Sequence, residues 1–193
     1  MTRALVVFAH PCDDSFSAAQ KNVVVGTLGA KGWEVDLADL YAESFNPVMS
    51  ADERRGYHTV PANTLPVQGY VDRLRAAQAL VIVHPVWNYG PPAILKGWYD
   101  RVFVPGVSFA LVDGQVKPAM THIRKLGVVT TYGGTWWRTK LAGDPPRRLV
   151  SRAFRYTTQA DKLVYLALYD MNRADHAKRA DYLARVQQAM EQF

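Results

Sequence analysis

Cysteine is nearly absent from this chain: Cys12 is the only one in 193 residues. A lone cysteine cannot form an intramolecular disulfide, and it excludes the multi-cysteine sites that hold structural zinc. The five histidines show no paired spacing suited to a metal ion; they are His10, His58, His84, His122 and His176. We therefore predict a cytoplasmic protein without a metal centre.

Long hydrophobic runs are also absent. The longest apolar stretches, such as 79–83 and 163–168, fall well below the roughly 18 to 20 residues that a membrane-spanning helix needs. We therefore predict no membrane insertion. Lys and Arg number 23 against 17 Asp and Glu, and the formal net charge of +6 favours anionic ligands such as nucleotide phosphates. Nucleic-acid binding is not predicted, because no recognisable fold or interleaving of basic and aromatic residues supports it.

Five short apolar runs rich in β-branched residues predict strands buried on both faces; they are 4–9, 35–40, 79–84, 126–131 and 163–168. Helical periodicity separates them, so the strands must be parallel and joined by right-handed crossovers. The sequence therefore predicts an α/β fold: one domain over 1–193, with a doubly wound five-stranded parallel sheet in the order 2-1-3-4-5 and helices on both faces.

Three further features are expected around this sheet. In the first helix, the spacing of Phe16, Ala19, Val23 and Ala30 predicts one buried face. The long, proline-broken stretch 41–66 predicts an excursion from the sheet that contributes to a partner interface. The Pro- and Gly-rich stretch 105–118 predicts a β-excursion on the surface.

The loop after the first strand lacks any glycine-rich phosphate fingerprint. It nevertheless leads into a helix that begins near Ser15, and a helix start offers free N–H groups and a positive dipole end. With the hydroxyls of Ser15 and Ser17, this makes a phosphate site. The alternative is that Asp14 or Ser15 only caps the helix.

The loop after the third strand presents Trp87 and Tyr89 beside Gly90. Two aromatic side chains next to a flexible glycine can offer a flat wall and backbone hydrogen bonds to a planar ring. The alternative for both is ordinary core packing. Trp98, on the inner face of the following helix, is predicted to be core.

The loop after the fourth strand carries the pair Gly133 and Gly134. Paired glycines let the backbone approach a ligand closely, and their N–H groups can stabilise negative charge. A simple glycine turn is the alternative. In a doubly wound sheet these loops lie at the carboxyl ends of the strands, so we expect the three of them to converge.

An ordered set of motifs along nearly the whole chain resembles the flavodoxin-like NAD(P)H quinone oxidoreductases of the DT-diaphorase type. The motifs are Ala9-His10 with Ser15-Phe16, then 31–35, 39–41 and 45–47, then 92–98 and 100–103, then Thr130-Thr131 and Gly133-Gly134.

The resemblance implies a flavin bound noncovalently at a homodimer interface. NAD(P)H would reduce the flavin and leave, and a quinone would then take two electrons in the same pocket. The flavin phosphate would lie at His10, Ser15, Phe16 and Ser17. The isoalloxazine ring would lie against Pro85, Val86, Trp87, Asn88 and Tyr89, and against Thr131, Tyr132, Gly133 and Gly134.

The chain departs from the pattern of that family in three places. Trp87 comes two residues after Pro85, where the family commonly has three. The Tyr and His that assist hydride transfer in the best-known members have no clear match after Gly134, so no catalytic side chain is assigned. The chain ends soon after its last helix, which favours FMN, with FAD open.

Other functions are also compatible with the sequence. Relatives with this fold serve as ancillary regulatory flavoproteins of potassium-efflux transport systems, and azo dyes or nitroaromatics are alternative electron acceptors. A one-electron flavodoxin-type carrier is disfavoured, because this chain is basic. Four arginines either receive the 2′-phosphate of NADPH or form a solvated helical face; they are Arg147, Arg148, Arg152 and Arg155.

Overall fold

A computed structural model describes residues 2–193. Seven strands are present: β1 (Arg3–Phe8), β2 (Glu34–Asp39), β3 (Ala79–Val86), β4 (Phe109–Val112), β5 (Gln115–Pro118), β6 (Lys125–Tyr132) and β7 (Lys162–Leu168). The α-helices are α1 (Phe16–Ala30), α2 (Ala51–Arg55), α3 (Gln68–Ala76), α4 (Ala93–Val102), α5 (Trp136–Leu141), α6 (Pro145–Arg148), α7 (Arg155–Thr158) and α8 (His176–Glu191). A π-helical segment, Leu149–Phe154, joins α6 to α7, and Ala62–Val67 and Met171–Arg173 are 3₁₀-helical.

Five strands form one parallel sheet in the order β2-β1-β3-β6-β7. Counted without the separate β4–β5 hairpin, this is the predicted order 2-1-3-4-5, and each of the five apolar runs is a strand. The three central strands, β1, β3 and β6, are buried on both faces, whereas the edge strands β2 and β7 are mostly half-buried. Side chains of β1 alternate between two hydrophobic clusters: Leu5 and Val7 face one, Val6 and Phe8 the other. The predicted fold is confirmed.

Helices cover both faces of the sheet. The face with α1 and α8 packs around Val24, Leu28 and Val186, and the opposite face packs α3, α4 and the π-helical segment around Leu74 and Trp98. Trp98 is fully buried, as predicted.

The predicted inner face of α1 is correct only in part. Phe16 and Val23 are half-buried against the core, but the fully buried residues are Ser17, Ala18, Gln20, Val24 and Leu28, and Ala30 is exposed in the last turn. Two polar residues, Ser17 and Gln20, lie on the buried stripe, so a pattern of apolar residues alone placed it incorrectly.

The excursion after β2 is fastened to α4. Arg101, buried in that helix, forms a 2.7 Å ion pair with Glu53 and donates to the carbonyl of Asn46. Gly97 lies directly against Pro47, where a Cβ would overlap the proline backbone. The β4–β5 hairpin is the predicted β-excursion.

Within residues 2–193, no cluster of His, Cys, Asp or Glu could hold a metal ion. Over the same residues, every helix is too short or too polar to cross a membrane.

Candidate active site

Three loops meet at the carboxyl edge of the sheet, because β1, β3 and β6 are consecutive neighbours there. The loop after β1 touches the loop after β3, with the rings of His10 and Trp87 edge to face at 5.8 Å. The loops after β3 and β6 face each other across a cleft of about 190 Å³, which we call the aromatic cleft. It is lined by Val86, Asn88, Tyr89, Tyr132, Gly133, Gly134 and Thr139.

In the loop after β1, Ser15 caps α1 by accepting a 3.1 Å hydrogen bond from the N–H of Ala18. Capping leaves the first N–H groups of the helix, those of Phe16 and Ser17, pointing out of its end. The N–H of Cys12 donates to Nδ1 of His10 at 3.0 Å, which leaves Nε2 of His10 as the ring nitrogen available as a donor. The capping interpretation of Ser15 is correct, and it is compatible with an anion at the helix end.

The loop after β3 is a two-residue turn. Trp87 and Gly90 exchange backbone hydrogen bonds of 3.0 and 2.9 Å, and the central residues have positive φ, 48° at Asn88 and 59° at Tyr89. This is the type I′ geometry, which suits Asn and is costly for Tyr. Trp87 and Tyr89 are 43% and 47% exposed, so neither packs in the core. The turn holds both aromatic side chains at the edge of the sheet.

His84, two residues before the end of β3, is buried. Its Nδ1–H donates to the carbonyl of Pro85 at 2.8 Å, and burial lowers its pKa to about 4. His84 is therefore a neutral structural residue beneath the site.

Tyr132, the last residue of β6, is buried. The hydroxyl donates to Asp144 at 2.7 Å and accepts from Tyr165, also at 2.7 Å, while Lys140 pairs with the same carboxylate at 2.6 Å. Burial is the main cause that raises the pKa of Tyr132, and Tyr165 and Asp144 add to the rise. Tyr132 thus lines the aromatic cleft, and its hydroxyl ties the end of β6 to Asp144.

A second cleft, of about 310 Å³, opens on the other side of the glycine pair. We call it the cationic cleft; it is lined by Gly133, Gly134, Thr135, Trp137, Arg138, Asp170, Asn172 and Arg173. The N–H of Asp170 bonds to the carbonyl of Gly134 at 2.9 Å and brings the loop after β7 to this place.

Arg138, Asn172 and Arg173 were not predicted from the sequence, because only the folded sheet places them together. The four arginines that the sequence suggested, at positions 147, 148, 152 and 155, line neither cleft. Arg147 stacks over the ring of Tyr165 at 4.9 Å, and Arg148, Arg152 and Arg155 are exposed.

The sequence pattern of the family described as "Flavodoxin-like fold" matches residues 2–192. The chain belongs to the flavodoxin-like family. Over 147 residues it is 33% identical to NAD(P)H dehydrogenase (quinone) 1 of Rattus norvegicus, a match that covers 68% of this chain and 54% of the rat protein. An uncharacterized NAD(P)H oxidoreductase of Escherichia coli is 32% identical over 117 residues, 60% of this chain and 59% of that one.

This flavodoxin-like chain therefore matches little more than half the length of these curated relatives. Among solved structures, an NAD(P)H:quinone oxidoreductase from Methanothermobacter marburgensis superposes with a TM-score of 0.83 at 23% identity, covering 98% of both chains. At that identity the likeness establishes the shared fold.

Proposed function

We propose that this protein is a flavin-dependent NAD(P)H oxidoreductase that reduces quinones or similar planar acceptors by two electrons. The observation that carries the proposal is the aromatic cleft, where an aromatic turn faces a glycine pair at the carboxyl ends of β3 and β6, next to the β1–β3 switch point of a doubly wound sheet. The relationship to NAD(P)H dehydrogenase (quinone) 1 supports the same activity.

The residues present fit a flavin. Trp87 and Tyr89 are exposed and can lie along a flat ring, and the backbone at Gly133 and Gly134 carries no Cβ that would keep such a ring away. In this proposal the phosphate lies at His10, Ser15, Phe16 and Ser17. The ring lies against Pro85, Val86, Trp87, Asn88 and Tyr89, and against Thr131, Tyr132, Gly133 and Gly134.

When bound, a flavin supplies two-electron transfer between a nicotinamide and an acceptor. The chain's own residues position and shield it. The N–H groups of Gly133 and Gly134 stabilise negative charge at the polar edge of the ring. Trp87 and Tyr89 stack against planar reactants and exclude water, and no side chain has to act as a nucleophile. Nicotinamide and quinone use one pocket in turn, which gives a ping-pong mechanism.

The cationic cleft supports binding of the dinucleotide. It adjoins the aromatic cleft through Gly133 and Gly134, and Arg138 and Arg173 are the cations among its lining residues. Guanidinium groups match phosphate geometry, so we assign this cleft to the phosphates of NADH or NADPH.

A homodimer with the flavin site at its interface is part of the proposal. Near the clefts, the turn after β3 and helix α5 expose large apolar side chains, which favours burial by a second copy. They are Trp87, Tyr89, Trp136, Trp137 and Leu141. Sedimentation of the flavin-loaded protein measures the assembly directly.

The deciding experiment is anaerobic stopped-flow mixing of protein reconstituted with FMN, and separately with FAD. NADH or NADPH should bleach the flavin band at about 450 nm, and benzoquinone should restore it rapidly. Failure to take up either flavin would remove the proposal. Flavin uptake without reduction by either nucleotide would favour the ancillary or carrier function, and faster recovery with an azo dye would favour azo reduction.

A further inference from the structure

Thr139, in α5, is fully buried, yet its hydroxyl has no hydrogen-bond partner among residues 2–193. Its backbone is satisfied: the N–H donates to the carbonyl of Thr135 and the carbonyl accepts from the N–H of Asp144, each at 3.0 Å. Burying a hydroxyl without a partner is costly, so an unpaired one in a native fold needs an explanation.

The location of Thr139 suggests that explanation. Thr139 lines the aromatic cleft together with Val86, Tyr89 and Gly133. Its Oγ1 lies beside Gly134, where a Cβ would come within 3.6 Å of that oxygen and would meet no other atom within 4 Å. Because residue 134 is glycine, the space next to the hydroxyl stays open.

The wall that carries Thr139 is held in place from behind. Asp144, which bonds to the backbone of Thr139, also accepts from Tyr132 at 2.7 Å and pairs with Lys140 at 2.6 Å. These bonds link the end of β6 to α5 on either side of the glycine pair. The hydroxyl of Thr139 therefore lies on a part of the cleft that hydrogen bonds hold in place, which suits a binding group.

We propose that Thr139 is a ligand-binding residue whose hydroxyl hydrogen bonds to the polar edge of the isoalloxazine ring, an inference that rests on the proposed flavin-dependent function. That edge carries carbonyl acceptors and an imide N–H donor, and a hydroxyl can serve either. A threonine in a helix has two accessible χ1 rotamers, so Oγ1 can turn to the ring without movement of the backbone. The cost of burying the hydroxyl is already met in the free protein.

The test compares Thr139→Val, which keeps the shape and removes the hydroxyl, with Thr139→Ser, which keeps the hydroxyl. Thr130→Val is the matched control, because Thr130 is also fully buried with an unpaired hydroxyl but lines neither cleft. FMN and FAD dissociation constants are measured by flavin fluorescence, and urea midpoints are measured on the flavin-free proteins.

Thr139→Val should raise the flavin dissociation constant about three- to tenfold, the worth of one neutral hydrogen bond. Its flavin-free urea midpoint should equal or exceed that of the wild type. Thr139→Ser and Thr130→Val should bind flavin within about twofold of the wild type.

Wild-type affinity in Thr139→Val, or an equal loss in Thr139→Ser, would overturn the role of the hydroxyl and leave the proposed function standing. A lowered urea midpoint in Thr139→Val would also count against it, because the hydroxyl would then serve the fold. Failure of the wild-type protein to bind either flavin would overturn both proposals.

Discussion

The hydroxyl of Tyr132 donates a 2.7 Å hydrogen bond to the carboxylate of Asp144 and ties the last residue of β6 to the residue before α6. Both residues are buried, and Asp144 has a left-handed backbone with φ of 46°. A non-glycine residue in this conformation needs support from its surroundings. The Tyr132–Asp144 bond supplies that support where the two clefts meet.

Tyr132→Phe should destabilise the flavin-free protein by about 1–3 kcal/mol, because a buried carboxylate loses one of its donors. Urea unfolding at neutral pH measures the loss. Tyr165→Phe is the control: it removes a donor to Tyr132 but leaves the bond to Asp144 intact, so its effect should be smaller. Equal losses in the two variants would show that the bond to Asp144 has no special role.

His84 should make stability depend on pH below neutrality. Burial lowers its folded-state pKa to about 4, against about 6.5 in an unfolded chain, so the unfolded chain takes up the proton first as pH falls. The contribution of His84 is therefore complete above pH 6.5 and is lost progressively towards pH 4. The shift corresponds to about 3 kcal/mol.

Urea unfolding between pH 4 and 7 tests this expectation. His84→Gln should reduce the slope of the free energy of unfolding against pH by up to about 1.4 kcal/mol per pH unit, the contribution of one proton. His176, exposed at the start of α8, provides the control, and His176→Gln should keep the slope of the wild type. An unchanged slope in His84→Gln would show that the lowered pKa of His84 is not the cause of the pH dependence.

Gly97→Ala should destabilise the protein by about 1–3 kcal/mol, because the new Cβ overlaps the backbone of Pro47 and forces the excursion away from α4. Gly26→Ala, also inside a helix, meets no atom within 4 Å and should stabilise by about 0.5–1 kcal/mol. Thermal unfolding of the two variants should therefore shift in opposite directions. A shift in the same direction would mean that helix propensity, not the contact with Pro47, decides the outcome at residue 97.

The sequence predicted the sheet because strands buried on both faces appear as continuous apolar runs, and their order fixed which loops converge. Thr139 and Arg173 could not be predicted as site residues. Only the fold brings Thr139 to the aromatic cleft beside Gly134, and Arg173 to the cationic cleft that the same glycine lines. Gln20 was missed as a buried residue because a polar side chain on a helix is expected to face solvent. Local chemistry also gave no sign that a tyrosine would take positive φ at position 89.

The backbone conformation of Tyr89 destabilises the fold, while its ring is proposed to bind planar reactants. Removing the side chain should therefore separate the effect on stability from the effect on binding. Its φ of 59° costs an L-residue about 1–2 kcal/mol, and glycine relieves this while losing more entropy on folding. Tyr89→Gly should therefore leave the stability of the flavin-free protein unchanged or raise it by up to about 1 kcal/mol. Loss of the aromatic face should raise the KM for benzoquinone about three- to tenfold.

Asp113→Gly is the matched control for this last variant. Asp113 also has positive φ, 51°, in the two-residue turn between β4 and β5, but it lines neither cleft. The control should show a similar change in thermal stability with no change in KM. If Tyr89→Gly lowers stability while KM stays the same, the ring serves the turn and the stacking role of Tyr89 in the proposed mechanism is wrong. If KM rises while stability holds, the strained turn is maintained for binding.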